Sequence, residues 1–464
     1  MHQRFSVARR HSQDGAAMLI VLAVILIMTA LGSTAALLAS QNLTGATLDR
    51  QSAIAENLSE AGVAQAVAWV RFNGVGSLSC SPLCVPGSGQ PDWGQGPAAG
   101  ASYGHLVTLT GGRSYRVWIE KQQALLPPAS KIGRYVIHST AVTTSATSPV
   151  TRTVSQDMRV TPFDFPIGVF AHTVAAGGNG GIHYESMFSD SCIQGRSFES
   201  FQGIDAYYGV PAAAHSADAI VPKQNDACNQ SNSIHTPSAC NMTYPNDSDA
   251  YGGPLMPGGG CYGNGTLNGS TWLTTSKEKS FADMAATYGF KINTLGLSNS
   301  QLDALRSAAQ MQGFYFTSTT AIPAVLQSPT AGTTYPHPVL FYDLKGAAVG
   351  GLVDLKDLTG YGRSYPIANT SASCSVAGAI VVVLNGNVKL NGGTVLTASV
   401  FAPGPYPNGQ VVKANGSGQL IGTLFADNID MRGTADIYLD SCFLSNLPGG
   451  LLNVAVDNYR ESDR

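Results

Sequence analysis

Four aspartates crowd the C-terminal end of the chain: Asp427, Asp430, Asp436 and Asp440. Carboxylates gathered on one face of a parallel β-coil are the acid and base of many polysaccharide hydrolases and lyases. Here their spacing mixes odd and even steps, so they do not share one strand face. No Arg or Lys partner recurs beside them. A β-helix carbohydrate-active enzyme is therefore the weakest reading, and the chain is expected not to be an enzyme. The nine histidines form no HxxxH or HExxH pair, and GxSxG, P-loop and post-strand GxGxxG motifs are missing. Asn246-Asp247-Ser248-Asp249 offers oxygens of the kind Ca²⁺ takes, but it lacks the Gly and distal Glu of an EF-hand loop and reads as a solvated turn. No metal and no cofactor is expected. A formal net charge of −3 argues against nucleic acid as a partner.

The cysteines carry a different chemistry. Cys80, Cys84, Cys192, Cys228, Cys240, Cys261, Cys374 and Cys442 are even in number, widely spaced and free of CxxC knuckles. Zinc is disfavoured, and disulfides are the natural reading once this part of the chain leaves the cytoplasm. Cys80 and Cys84 bracket a short Pro-containing loop; the pairing as a whole is open. Tyr207, Tyr208, Tyr244, Tyr251, Tyr262 and Trp272 stand among Asn and Gly. They suit either adhesion or the filling of a small core, and the second is favoured because such lobes need apolar filling.

The segment that must position all of this is Ala16 to Ser40, twenty-five residues without a charge. At 1.5 Å per residue it spans about 37 Å, enough for a hydrocarbon core of about 30 Å. Arg4, Arg9 and Arg10 precede it, so its N-terminal side is expected in the cytoplasm and the rest outside. It is too long for the apolar core of a secretory signal. Residues 41–72 lack Pro and keep apolar residues at helical spacing: Ile54, Leu58, Ala61 and Ala64 on one face, with Val63, Val67 and Val70 beside it. One helix from 16 to 72 is predicted, stopped by Asn73-Gly74.

At this point the residues resemble a family. A short basic leader ending in Gly15, a small residue next, then a long apolar helix, together with Leu58-Ser59-Glu60-Ala61-Gly62-Val63, is similar to the type IV pilins and type II secretion pseudopilins, and most of all to the PilX-type minor pilins. The resemblance implies cleavage by prepilin peptidase between Gly15 and Ala16, methylation of the new amine, and a helix (Ala16, Met18, Leu19, Ile20 through Ser40) that packs against other pilins. It implies an inner-membrane precursor, then a place in the pilus fibre or at the cell surface. Ile20 occupies the position where major pilins carry a Glu that pairs with a neighbour's amine. Its lack of charge points to a tip or initiation subunit, with the ligand of the head unknown. The rival readings are a type II secretion tip pseudopilin and a permanently anchored periplasm-facing binding protein.

The whole chain is 464 residues with 52 Gly and only 12% charged residues, where about 25% is usual. That composition suits short strands and many turns. The expected class is α+β, mainly β: a leader (1–15), the long helix (16–72), and a pilin-like antiparallel meander head (73–162). A β-solenoid-like domain (163–184 and 375–445) follows, carrying a loop-rich disulfide-containing insertion (185–374) with helices near 278–312. A C-terminal helix (446–464) completes it. Val169-Phe170-Ala171, Val400-Phe401-Ala402 and Leu424-Phe425-Ala426 share one pattern, and 24 residues separate Phe401 from Phe425. That step suits one coil, in which the three phenylalanines are predicted to point inward and form a ladder.

Overall fold

In the computed structural model the described residues fall in 10–78, 93–97, 103–221, 285–362 and 377–463, with short gaps. Residues 1–9, 79–92, 222–284 and 363–376 lie outside them. Helix α1 runs unbroken for 64 residues, Arg10–Asn73. It has no proline to remove a backbone donor. Gly74 ends it in the left-handed region at φ 74°, its N–H donating to Val70 O at 2.8 Å.

Four antiparallel strands follow: β1 (His105–Leu109), β2 (Arg113–Gln123), β3 (Gly133–Thr144) and β4 (Pro149–Pro162). The expected meander is present, and it gains a fifth strand from the far end of the chain. Leu452–Asp463 (β21, the last in chain order) pairs antiparallel with β4, Leu452 opposite Pro162 and Val456 opposite Met158. The C-terminal helix expected over 446–464 is thus corrected to a short 3-10 turn, Gly449–Leu451, and a strand. The physical signal was a period of two: Leu452, Val454 and Val456 alternate with Asn453, Ala455 and Asp457. Residues 163–451 are therefore inserted between neighbouring strands of one sheet, and entry and exit touch where Phe163 N–H donates to Leu451 O at 3.0 Å.

The inserted segment builds parallel ladders within one 16-stranded sheet. It begins with β5 (Val169–Gly177), β6 (Ile182–His183), β7 (Met187–Gly195), β8 (Phe201–Gln202), β9 (Ala214–Ser216) and β10 (Ala219–Val221). Beyond helix α2 (Asn299–Gln312) come β11 (Tyr315–Phe316), β12 (Val339–Asp343), β13 (Leu352–Asp354), β14 (Ala379–Leu384) and β15 (Asn387–Lys389). The last are β16 (Val395–Ala402), β17 (Gln410–Lys413), β18 (Ser417–Ile421), β19 (Leu424–Arg432) and β20 (Thr434–Tyr438). The 185–374 boundary is corrected here, because β7 and β9 to β13 all pair inside these same ladders. Helix α2 is capped as its Ser298-Asn299-Ser300-Gln301 start predicts. Ser298 Oγ accepts from Gln301 N–H, and the Gln301 side chain accepts from Ser298 N–H.

Register aligns like with like along each ladder. One column reads Val353, Val388, Val411, Ile429, Val174, Ile193, Ile220. A second reads Leu396, Leu420, Ile437, Ile182, Phe201. A third reads Tyr315, Phe341, Val382, Phe401, Phe425, Phe170, Phe188, His215. The predicted phenylalanine ladder exists: Phe170 stacks on Phe425 at 5.0 Å between centroids, and Phe401 lies 6.3 Å from Phe425. Its direction is a correction. The aliphatic positions Val169, Val381, Val400 and Leu424 share a core with Val174 and Ile429, inside the ladders. The phenylalanines point to the opposite face and join Leu305 of α2, Phe443, Leu451 and the core of the head. Successive strand residues face opposite ways, so Leu424 and Phe425 serve two cores. Strands buried on both faces read as continuous apolar runs, as Val339–Asp343 and Ala379–Leu384 do.

One buried base makes this core acid-sensitive. Burial pushes the His337 imidazole down to about 4 from 6.5, opposed by Gly378 O at 3.3 Å from Nδ1. A neutral histidine of this kind contributes stability that is complete above pH 6.5 and lost as pH falls toward 4, about 3 kcal/mol in all. Chemical denaturation at pH 7 and pH 4 should show a smaller stability difference in His337→Asn than in the unaltered chain.

Candidate assembly helix and its junction with the head

Every residue of α1 from Met18 to Arg50 is exposed, and the first burial begins at Gln51. Met18 and Leu43 are both 71% exposed, and Leu19 and Ile20 stand out equally. Ala16 and Gly15 lie on the same continuous helical backbone, and Ser40 lies on its exposed stretch. This half is long and apolar enough to cross a membrane. Its few hydroxyls make no exception. Thr29 donates to Ile25 O at 2.7 Å, Ser33 and Thr34 donate to Ala30 O, and Thr44 donates to Ser40 O at 2.8 Å. Within the uncharged run the Thr29, Ser33 and Thr34 hydroxyls are thus satisfied by the helix's own carbonyls, as an apolar medium requires.

The second half is gripped. Ala55, Ser59, Gly62, Val63, Ala66, Val67 and Val70 form the buried stripe. This corrects the predicted face: Ile54 and Leu58 are half-buried, while Ala61 and Ala64 face outward. The stripe is made of small residues because the sheet comes close. A Cβ on Gly62 would meet Ser139 Oγ at 2.3 Å and Val117 Cγ2 at 2.7 Å. Polar ties reinforce the contact. The Arg152 guanidinium donates to Ser52 Oγ at 2.6 and 2.9 Å, and lies 3.8 Å from Glu461 of β21. Tyr115 OH donates to Gln65 Oε1 at 2.8 Å, and Trp69 packs on Trp93 at 5.7 Å. At the base, Arg71 donates to Val454 O at 3.3 Å. The result is a rod whose lower half is held by the sheet, from β2 across to β21, and whose upper half is bare.

The remaining sequence-selected residues do not converge. Asp436 Oδ1 accepts from Gly181 N–H at 3.0 Å and lies 3.5 Å from His183 Nε2. Asp440 caps the short helix Ser441–Ser445 by accepting from Phe443 N–H. Asp427 Oδ2 accepts from the Asn428 amide at 2.9 Å, and Asp430 pairs in register with Ala175. Tyr207 and Tyr208 fill a core, as the packing reading anticipated. Tyr208 lies edge-on to Phe188 at 5.8 Å and to Tyr288 at 5.3 Å. Cys192 is on β7 and Cys442 on the helix Ser441–Ser445. The other six cysteines, the Asn246–Asp249 segment, Tyr244, Tyr251, Tyr262 and Trp272 lie outside the described residues. Among the described residues no group of three or more His, Cys, Asp or Glu stands ready for a metal. Sequence reasoning missed one pair, Glu185 and Asp205. Neither motif nor spacing marked it, and only its burial does.

No family model matches the chain, and no curated protein does. Among solved structures, the competence-associated pilin ComZ from Thermus thermophilus aligns over 89% of this chain and 98% of its own, at 10% identity and a TM-score of 0.18. A superposition at that score carries no argument about this chain.

Proposed function

We propose that this chain is a non-catalytic minor pilin, a tip or assembly subunit of a type IV filament system with a PilX-like role. One observation carries the reading: α1 is bare from Met18 to Arg50, uncharged and largely apolar as far as Ser40, and clamped by the head from Gln51 onward. Such a rod suits two apolar surroundings in turn, lipid before assembly and neighbouring pilin helices afterwards. In this reading prepilin peptidase cuts between Gly15 and Ala16, the Ala16 amine is methylated, and Ile20 brings no charge to the helix bundle. The parallel ladders are one β-solenoid displayed outward, stiffened by disulfides among the exported cysteines and offered for adhesion.

The test is the mass of the protein's N-terminus in its native host. Cleavage removes residues 1–15 and adds a methyl group, and Gly15→Val should leave the full mass. A native chain that retains Met1–Gly15, or one that never enters sheared surface fibres, overturns the proposal. The latter result would favour a permanent anchor.

A further inference from the structure

We propose that Glu185, Ser186 and Asp205 hold one hard cation of the calcium type at the seam between the parallel ladders and the head. Glu185 and Ser186 lie between β6 and β7, and Asp205 opens the turn that follows β8. Both carboxylates are fully buried. Asp205 is well supplied with donors: its Oδ1 accepts from Tyr207 N–H at 2.9 Å and Tyr208 N–H at 2.8 Å, and its Oδ2 accepts from Ser186 N–H at 2.7 Å. The Ser186 hydroxyl faces the same carboxylate. Glu185 is the opposite case, with neither carboxylate oxygen hydrogen-bonded among the described residues.

The backbone around this point is specialised. Tyr184 sits at φ 60°, a left-handed conformation that a tyrosine rarely adopts, and its carbonyl is tied to Ala206 N–H at 2.8 Å. Gly168 has φ 126°, and a Cβ there would stand 2.6 Å from Ser186 O and 3.6 Å from Glu185 Oε2. Among the described residues a carboxylate is thus held in the interior without a donor, beside a second carboxylate, which is costly on both counts. Burial and the charge of Asp205 both push the Glu185 carboxyl well above its ordinary range. A proton removes the charge but leaves a new O–H in need of an acceptor.

A cation answers charge and coordination together. Glu185 offers two oxygens, Asp205 Oδ2 retains a lone pair beyond its one N–H bond, and the Ser186 hydroxyl adds another oxygen. All-oxygen donors with a bidentate glutamate suit Ca²⁺, whose shell of six to eight ligands is completed by carbonyls or water; they do not suit Zn²⁺ or copper. The neighbouring Lys131 ammonium, on the head's β2–β3 connection, lies over the rings of Tyr207 and Tyr208 at 4.3 and 4.7 Å. The seam therefore carries a site whose occupancy would tighten the turn on which the head loop rests.

The experiment uses the full chain in detergent, stripped with a chelator and titrated with TbCl₃ and CaCl₂. Tyr207 and Tyr208 make Tb³⁺ emission readable on tyrosine excitation. The expected result is one Tb³⁺ per chain, competed away by Ca²⁺, and a Tm rise of about 5 °C at saturating Ca²⁺. Glu185→Gln should weaken both responses at least tenfold. If that variant fails to fold, Glu185→Asp, which keeps the charge but withdraws it by one methylene, should weaken Tb³⁺ binding at least tenfold. Unaltered chain that shows neither Tb³⁺ emission nor a Ca²⁺-dependent Tm overturns the proposal. So does Glu185→Gln that responds to Ca²⁺ as the unaltered chain does. An unaltered chain insensitive to Ca²⁺ that melts lower than Glu185→Gln would show that Glu185 is a buried acid and not a cation ligand.

Discussion

Phe425→Ala is expected to lower the unfolding free energy by about 3–5 kcal/mol, the usual cost of deleting a fully buried phenylalanine from a core that cannot collapse. Phe425 is 2% exposed and lies between two rings of its own column, Phe170 on one side and Phe401 on the other. Its neighbours are fixed by ladder hydrogen bonds at the registers Phe401–Phe425 and Phe425–Phe170, so they cannot close the hole. The loss falls on the core shared with α2, the C-terminal segment and the head, not on the aliphatic interior. Chemical denaturation measured with a near-UV probe checks the size of the effect. A cost under about 1 kcal/mol would mean that the phenylalanine face is loosely packed.

Gly62→Val should be the most damaging single change on α1. In an exposed helix, replacing glycine by alanine gains up to about 1 kcal/mol. At Gly62 the new Cβ meets Ser139 Oγ at 2.3 Å and Val117 Cγ2 at 2.7 Å, and both belong to buried residues on strands of the head. Overpacking of that kind costs about 1–3 kcal/mol, and the extra methyl groups and stiff χ1 of valine place it toward the upper end. Gly45 is the internal control, with nothing within 4 Å of its added Cβ. Gly45→Ala should leave the head's melting temperature unchanged, while Gly62→Val lowers it and loosens the head from the rod. Limited proteolysis near residues 51–73 reads that loosening directly. Equal behaviour of the two variants would refute the close-contact account.

What the sequence revealed depended on how local the signal was. The rod was legible because an uncharged run followed by a proline-free stretch leaves one conformation. The meander was legible because Gly111 and Gly112 punctuate two alternating segments; both glycines sit at positive φ in that turn. The rotation of the lower rod was misjudged, since small residues at 55, 59, 62 and 66 look unimportant until a sheet presses on them. The phenylalanine ladder was found from a repeated triplet, but its facing was inverted. When both faces of a strand are buried, hydropathy does not say which is interior. The fifth head strand was missed because its partner, β4, lies about 300 residues away in sequence; Asn458 bonds Asp157 at a separation of 301. Glu185 and Asp205 were invisible for the same reason, since lone acids reveal themselves only when a fold surrounds them.

The strand order of the ladders bears on how the protein is made. The first strand of the inserted segment to leave the head, β5, ends up in the middle, with β7 on one flank and β19 on the other. The chain builds outward from β5 to one end, resumes at the opposite end with β11, and works back until β19 closes against β5. Thr173 and Asn428, which bond across that closing seam, are separated by 255 residues. During synthesis, β5 therefore waits with one whole edge unpaired while the rest of the domain emerges. Growth coil by coil from the N-terminal side is impossible, and an open edge is a template for any passing strand. That edge stays open until the final third of the chain arrives, and early truncations of this chain should aggregate where a truncated end-to-end ladder would simply be shorter.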